Sequence, residues 1–264
     1  MDPIAQFKEN AKVGWSSFAP TEMVTGSVAP DLVRFAGIKA GLDVLDVACG
    51  TGVVALTAAR LGARVKASDL TPALIERAKE NATVMKLEVE FREADVEALP
   101  YADAQFDVVV SQFGHMFAPR PDVTIAEMLR VLKPGGTIAF STWPPELYAG
   151  MMFALVGKYM GPPPAGVSPP SQWGDPKVVR ERLGDKVRDL LFDRAVMRFQ
   201  TLSVQHQRVF FEKNVGPIEK LVERLAGEQE KLGAFRRELE ALISLYFEDN
   251  HLRQDFLLSR AIKL

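Results

Sequence analysis

The sequence has very few of the residues that build disulfides and metal centres. It contains one cysteine, Cys49, and three histidines among 264 residues. One cysteine cannot form an internal disulfide and is typical of a reducing compartment, so we expect a cytoplasmic protein. The histidines have no ligand spacing with the cysteine, so we expect no metal site. We expect Cys49 to be a small packing residue.

Long hydrophobic runs and an excess of one charge are also missing. No stretch approaches the ~20 apolar residues of a membrane span, and the first residues contain no apolar run typical of a signal peptide. Lysine and arginine number 32 against 34 acidic residues, which gives a net charge of −2. We therefore expect neither a membrane span nor a nucleic-acid partner. The apolar fraction of 47% is that of an ordinary globular protein.

What the sequence does contain is a glycine loop between an apolar strand and a helix. Residues 44–52 read Val-Leu-Asp-Val-Ala-Cys-Gly-Thr-Gly. Gly50 and Gly52 allow positive φ and a close approach of a ligand to the main chain, and the following helix offers free N–H groups. Asp46 lies at the ligand end of the strand. Because its charge would repel a pyrophosphate and attract an ammonium or sulfonium, the loop predicts a nucleoside ligand with a positively charged tail.

Two further acids follow the next strands, and they bear on which nucleoside binds. Asp69 ends the second strand and could bind the ribose hydroxyls of either NAD or S-adenosylmethionine (SAM). Asp95 follows the third strand, where it could accept a hydrogen bond from an adenine amino group. Three acids without a basic residue among them favour SAM.

The alternative is an NAD(P)-dependent oxidoreductase, because residues 50–55 also match the G-x-G-x-x-G/A dinucleotide pattern. Asp46 and Asp95 disfavour it, and so does the absence of a Tyr-x-x-x-Lys pair after the fourth strand. A third hypothesis is a non-catalytic SAM-binding or interaction protein that uses its C-terminal helices as a dimer surface. Monomer and homodimer both stay open.

At this point the sequence resembles the class I SAM-dependent methyltransferases, and within them the UbiE/Coq5-like group (methyltransferase domain type 11). The resemblance implies SAM as cofactor, S-adenosylhomocysteine as product and a small-molecule acceptor methylated at O, N, S or C. It rests on the run at 44–52 and on four later segments in the expected order: Ser-Asp-Leu-Thr-Pro (68–72), Glu-Ala-Asp-Val-Glu-Ala-Leu-Pro (93–100), Phe-Asp-Val-Val-Val-Ser-Gln-Phe-Gly (106–114) and Met-Leu-Arg-Val-Leu-Lys-Pro-Gly-Gly (128–136).

Carried over residue by residue, the resemblance implies roles at the cofactor site. Asp46 would hold the amino group of SAM, Asp69 the ribose hydroxyls, and Asp95 with the Val96 backbone N–H the adenine edge. The carbonyl of Ser111 would face the ammonium group. The full predicted cofactor set is Asp46, Ala48, Gly50, Thr51, Gly52, Asp69, Leu70, Asp95, Val96, Ser111 and Gln112.

The acceptor side depends on the loop after the fourth strand, Ser-Gln-Phe-Gly-His-Met-Phe (111–117). It lacks the Asn-Pro-Pro-Tyr type of motif seen in DNA and glutamine methyltransferases, so we expect an apolar or aromatic small molecule instead. His115, with an ordinary pKa near ~6.5, could deprotonate a hydroxyl or thiol, or it could simply pack. An apolar acceptor pocket could be formed by Trp15, Phe18, Phe113, Met116 and Phe117, although core packing would explain these residues equally well.

The alternation of apolar segments predicts an α/β fold. We expect a Rossmann-like, mostly parallel sheet with helices on both faces, plus a helical lid and a C-terminal insertion. Residues 1–40 would form a helical cap, with Asp31 as an N-cap, and residues 41–142 the SAM-binding core. Residues 143–254 would contain a proline-rich lid with a helix over 148–160, a sixth-strand region and a helical insertion that forms the substrate pocket. Residues 255–264 would form the last strand of the sheet.

Overall fold

Ten α-helices and eight β-strands occur in the described residues, 2–161 and 165–264, of the computed structural model. The strands are β1 (Asp43–Val47), β2 (Arg64–Asp69), β3 (Glu90–Glu93), β4 (Phe106–Gln112), β5 (Leu132–Thr142), β6 (Val187–Gln200), β7 (Phe247–Glu248) and β8 (His251–Lys263). The helices are α1 (Pro3–Trp15), α2 (Glu22–Phe35), α3 (Val53–Arg60), α4 (Pro72–Met85), α5 (Pro121–Val131), α6 (Tyr148–Met160), α7 (Pro176–Leu183), α8 (Val204–Asn214), α9 (Gly216–Arg224) and α10 (Gln229–Tyr246).

All eight strands belong to one sheet with the order β3-β2-β1-β4-β5-β8-β6, and β7 pairs with β8. β1 to β5 pair in parallel, whereas β8 runs antiparallel to both β5 and β6. β1 lies at the centre, where Asp46 pairs with Ala67 of β2 and Val110 of β4. The predicted mostly parallel, Rossmann-like sheet is confirmed. The carboxyl ends of its parallel strands meet at one edge, and ligands bind in open α/β sheets at that edge.

The core is built from strands that are buried over most of their length. Val44, Leu45 and Val47 of β1 are fully buried, as is Phe140 of β5. Such continuous apolar runs are expected of parallel strands covered by helices on both faces. Within the described residues, no helix is long and apolar enough to cross a membrane.

The expected cap at Asp31 is wrong. Helix α2 begins at Glu22 and continues through Pro30 and Asp31 to Phe35, so Asp31 lies inside it. Pro30 has no N–H to donate and normally disfavours a helix interior. Here the apolar face of α2 is fully buried, including Leu32, and burial of an amphipathic face outweighs the local helix-breaking signal.

Two strands are longer than the sequence predicted, because pairing partners decide where a strand ends. β5 begins at Leu132, which pairs with Phe106 before the register shifts and the ladder resumes at Thr137. β8 begins at His251, since β6 continues to pair with it there, and not at residue 255. The helix predicted over 148–160 is present as α6. The proline run 162–164, part of the predicted lid, lies outside the described residues, and helices α7 and α8 were not predicted.

The region after β5 adds both a strand and a helical layer. β6 joins the same sheet as the parallel core. Helices α9 and α10 both pack against α6 and α8. Helix α1 also contacts α9. The amino-terminal helix and the late helices therefore meet above the carboxyl edge of the sheet.

Candidate cofactor and acceptor site

One cavity opens at the carboxyl edge of the sheet, and most of the predicted site residues line it. From the predicted cofactor set, the lining contains Asp46, Ala48, Gly50, Thr51, Asp69, Leu70, Asp95, Val96 and Gln112. From the predicted acceptor pocket, it contains Trp15, Phe18, Phe113 and Phe117. Four predicted residues are not part of the lining: Gly52, Ser111, His115 and Met116. The sequence therefore placed most of these side chains at one site.

The two loop glycines have different roles. Gly50 has φ +55°, and a Cβ at this position would meet no atom within 4 Å, so its main chain is open to the cavity. Gly52 has φ +81°, and a Cβ there would lie 3.2 Å from Ala78 and 3.1 Å from Phe91. Gly52 therefore serves close packing at the start of α3, which corrects its expected place beside the ligand.

Asp46 both caps a helix and keeps one oxygen free. Its Oδ2 accepts a hydrogen bond of 3.0 Å from the N–H of Ala55, in the first turn of α3, where helical N–H groups lack internal partners. Its Oδ1 has no hydrogen-bond partner among the described residues. Burial raises the pKa of Asp46 to about 8. A cationic group placed beside Oδ1 would be attracted to the carboxylate and would lower that pKa.

Asp69 fixes the two loops that form the cofactor end of the cavity. Its Oδ2 accepts from the N–H of Gly50 and its Oδ1 from the N–H of Thr71, both at 2.8 Å. Only 7% of the Asp69 residue is exposed, and burial raises the pKa of its carboxyl group. Each oxygen keeps a lone pair that a ribose hydroxyl could use.

Asp95 lies in an ion-pair network that the sequence did not predict. Lys8 of α1 bridges Asp95 and Glu97, with its Nζ 2.5 Å from Asp95 Oδ2 and 2.5 Å from Glu97 Oε2. The side chain of Glu97 is fully buried and also binds Arg120, at both its backbone N–H and its Nε. The network ties helix α1 to the loop after β3. No short-range pattern signals it, because Lys8 and Asp95 are far apart in sequence.

The placement of His115 corrects the idea that it acts as a base. His115 is fully buried. The centroid of its ring lies 4.6 Å from that of Phe140 and 4.7 Å from that of Trp173. Burial lowers its pKa to about 3, so the imidazole is neutral. Its backbone N–H donates to Ser111 Oγ at 3.1 Å. Ser111 is itself fully buried, and both residues pack behind the cavity wall, as does Met116.

The half of the cavity predicted to hold the acceptor, called the acceptor half below, is aromatic. The Trp15 ring lies 4.6 Å from that of Phe117 and 5.5 Å from that of Phe18. The Phe113 ring stacks on that of Trp143 at 3.9 Å, with an interplanar angle of 10°. Residues that the sequence did not indicate complete this wall: Trp143, Met152, Phe153, Met197, Phe199, Phe211 and Gln254. Trp143 directly follows β5, so its position in the sequence could have indicated that it lines the cavity. The other residues reach the cavity only through tertiary packing.

Gly114 shows how closely the two loops at the carboxyl edge approach. A Cβ at Gly114 would lie 2.4 Å from the carbonyl oxygen of Ala48 and 2.6 Å from its Cβ. Ala48 has φ 50°, in the left-handed region. Only glycine at position 114 allows this contact between the loop after β1 and the loop after β4. The contact closes the floor of the cavity between its cofactor end and its acceptor end.

Comparison with known proteins agrees with this geometry. A family profile described as "Methyltransferase domain" matches residues 45–140. An uncharacterized protein of Mycobacterium tuberculosis is 36% identical over 245 residues, which is 92% of this chain and 89% of that protein. The demethylmenaquinone methyltransferase of Deinococcus radiodurans is 38% identical over 125 residues, covering 45% of this chain and 51% of the enzyme.

A solved structure shares the fold at low sequence identity. Phosphoethanolamine N-methyltransferase 2 of Haemonchus contortus, in complex with S-adenosylhomocysteine, aligns with a TM-score of 0.57 and 17% identity, over 90% of this chain and 52% of that one. None of these similarities supports an NAD(P)-dependent oxidoreductase. The chain therefore contains a methyltransferase domain over residues 45–140, built on a Rossmann-like sheet, and it belongs to the same family as the Mycobacterium tuberculosis protein.

Proposed function

We propose that the chain transfers the methyl group of SAM to a small, apolar or aromatic acceptor held in the aromatic half of the cavity. The observation that carries this proposal is the polarity of the cavity along the sheet. The charged lining residues are Lys8, Asp46, Asp69 and Asp95. Asp46 and Asp69 lie near the carboxyl ends of β1 and β2 and Asp95 follows β3, whereas Phe113, Trp143 and Phe199 lie in or directly after β4, β5 and β6.

The residues at the charged end fit the cofactor. Asp46 Oδ1 is buried and has no hydrogen-bond partner within residues 2–161 and 165–264, which suits the ammonium of the methionine portion. Gly50 leaves open space where a side chain would stand, which suits close passage of the nucleoside. Asp69 would bind the ribose hydroxyls, and Asp95 with Val96 would bind the adenine edge. A dinucleotide would instead bring its pyrophosphate against Asp46, which is unfavourable.

Bound SAM supplies a methyl group that its sulfonium already activates. The chain's own residues then need to align the acceptor and exclude water. Such alignment can contribute on the order of 7–11 kcal/mol to lowering the barrier without a reacting side chain. Helix α1 covers the cavity through Phe7, Lys8, Ala11 and Trp15, on one helical face. This cover excludes water from the space between the two halves.

The acceptor half offers no side-chain base. Among the described residues that line it, none is a histidine, lysine, aspartate or glutamate. A proton that the methyl acceptor releases would therefore pass to water or to a second proton-accepting group. This favours acceptors that are nucleophilic without a side-chain base, such as an electron-rich aromatic ring or a group that ionises readily. The name of the Deinococcus radiodurans relative, which refers to a quinone-ring methylation, supports the same class.

Calorimetric titration with SAM, S-adenosylhomocysteine and NADH tests the cofactor half of the proposal. We expect both sulfur nucleosides to bind and NADH to bind far more weakly. Asp69→Asn and Asp69→Ala should weaken binding of S-adenosylhomocysteine at least about tenfold, since hydrogen bonds to a charged group are lost. Asp185→Ala, at an exposed surface site, is the matched control and should bind as the wild type does.

An acceptor screen tests the other half. Purified protein and SAM are incubated with aromatic phenols, quinols, aliphatic amines and carboxylates, and mass spectrometry measures the gain of one methyl group. We expect turnover among the neutral aromatic compounds. Turnover confined to the amines or carboxylates would contradict the proposed acceptor class, and NADH binding without binding of either sulfur nucleoside would contradict the cofactor roles.

A further inference from the structure

The antiparallel ribbon of β6 and β8 extends beyond the rest of the sheet. Pairing of β5 with β8 ends at Thr142, opposite Leu257. Pairing of β6 with β8 continues to Gln200, opposite His251. Residues 251–256 and their partners in β6 therefore project past the end of β5, at the edge where the cavity opens. This ribbon forms one wall of the acceptor half.

One face of the projecting ribbon is buried. Opposite residues of an antiparallel pair point to the same face, and alternate residues along a strand do so as well. Met197 pairs with Gln254, and Phe199 pairs with Leu252. All four are buried, as is Phe256 on the same face. Gln254 is the polar residue in this otherwise apolar row.

Gln254 is a mostly buried polar residue of the cavity wall. Only 6% of the residue is exposed, and it lines the cavity. Its side chain makes no hydrogen bond with the described residues, whereas the other neutral polar side chains nearby are largely paired. Thr21 Oγ1 donates to the Phe18 carbonyl at 2.7 Å, and Gln112 Nε2 donates to the Thr25 carbonyl at 2.9 Å. An amide in the cavity wall can form hydrogen bonds with a ligand there.

We propose that Gln254 is the specificity-determining residue of the acceptor site and binds a hydroxyl or carbonyl group of a neutral aromatic acceptor. This inference rests on the proposed function. Its amide offers both a donor and an acceptor. Gln112 Oε1, which also lines the cavity and has no partner among the described residues, offers a second acceptor. Both groups are neutral, so an ammonium or carboxylate on the acceptor would be buried without a counter-ion, which is unfavourable.

Binding of a matched pair of probes tests this role without knowledge of the natural acceptor. The protein is saturated with S-adenosylhomocysteine and titrated with 2-naphthol, which has a hydroxyl group, and with naphthalene, which has none. We expect the wild type to bind 2-naphthol about tenfold more tightly, as one buried hydrogen bond allows. Gln254→Leu should remove this preference while it leaves the affinity for naphthalene unchanged. Gln200→Leu, on the exposed face of the same ribbon, is the control and should keep the preference.

Two charged probes extend the test. 2-Naphthoate and protonated 2-naphthylmethylamine should bind about tenfold more weakly than 2-naphthol, since each carries an unpaired charge into the site. The proposal is overturned if the wild type shows no preference for 2-naphthol, including no binding of either neutral probe. It is also overturned if Gln254→Leu keeps the preference or if a charged probe binds as tightly. Failure of S-adenosylhomocysteine itself to bind would contradict the proposed function, so the two failures are distinguishable.

Discussion

The ammonium of Lys8 lies 2.5 Å from the carboxylate of Asp95, the acid expected at the adenine edge. This contact joins the helix that covers the cavity to the loop that forms its far end. No residue of helix α1 is fully buried, although its Trp15 ring packs against Phe18 and Phe117. The Lys8 contact therefore adds a polar attachment to this apolar packing.

We expect Lys8→Met to loosen helix α1 and weaken cofactor binding. Loss of the ammonium removes the ion pair of Asp95, which keeps the hydrogen bond from the Glu97 backbone N–H, while Glu97 keeps its contacts with Arg120. A drop in stability of about 1–3 kcal/mol is expected for a partly buried charged hydrogen bond, together with faster release of S-adenosylhomocysteine, measured by stopped-flow fluorescence. Lys12→Met is the control, because Lys12 contacts Glu9 and Glu93 near the surface at 3.3 Å. Equal effects of the two substitutions would contradict a specific role of Lys8.

The buried carboxyl of Asp46 predicts proton release on cofactor binding. Its pKa is raised to about 8 by burial, so the group is mainly protonated near neutral pH. The cationic amino group of the cofactor favours the carboxylate, so binding at about pH 7 should release roughly one proton. Calorimetry in buffers of different ionisation enthalpy measures this number. Asp46→Asn should bind more weakly and release no proton, and wild-type binding without proton release would contradict the predicted contact.

The raised pKa of Asp46 also determines whether stability rises or falls with pH. A carboxyl whose pKa rises from 3.8 to about 8 on folding is most favourable to the folded state when protonated. Its contribution is fully present below about pH 4 and is lost as the pH rises toward about 8. Burial raises the pKa of Asp69 as well, in the same direction. We expect the Tm of the cofactor-free protein to fall over this range and the fall to be smaller in Asp46→Asn, as measured by differential scanning calorimetry.

Gly50 and Gly135 form a matched pair of positions for testing the role of Gly50 in the loop after β1. Both have positive φ, +55° and +74°, and a Cβ at either would meet no atom within 4 Å. Alanine at either position should cost about 1 kcal/mol of stability, since the left-handed conformation is strained for it. Only Gly50→Ala places a methyl group in the cofactor cavity, so only it should weaken binding of S-adenosylhomocysteine, by about tenfold or more. Equal binding by both variants would contradict close passage of the nucleoside at Gly50.

His115→Phe tests the burial of this residue. Neither ring nitrogen of His115 has a hydrogen-bond partner among the described residues, and its neighbours include Phe140 and Trp173. Replacing an unpaired buried imidazole by an apolar ring should leave stability unchanged or raise it by about 1 kcal/mol, as urea denaturation measures. S-Adenosylhomocysteine affinity should be unchanged, and so should turnover of any acceptor found in the screen. A large loss of turnover in a stably folded variant would restore a catalytic role for His115.

Much of the cofactor end could be predicted from sequence because its determinants are local. Asp46 and Asp69 lie near the carboxyl ends of β1 and β2, Asp95 follows β3 and Gly50 lies in the loop after β1, and the carboxyl ends of parallel strands meet at one edge. Strand length was less predictable. The start of β8 at His251 is set by its partner β6, and a partner distant in sequence leaves no local pattern.

The sequence by itself determined the strand, loop and helix order, the glycine loop and the acids that follow the strands, since each depends on nearest neighbours along the chain. Only the tertiary structure decided which side chains reach the cavity. It buried His115 behind the wall and brought Lys8 to Asp95 and Gln254 to the acceptor half. Hydrophobic periodicity predicts that a face is buried, but it does not specify what covers that face. Packing between segments distant in sequence decides what covers each face, and in this protein it defines the acceptor site.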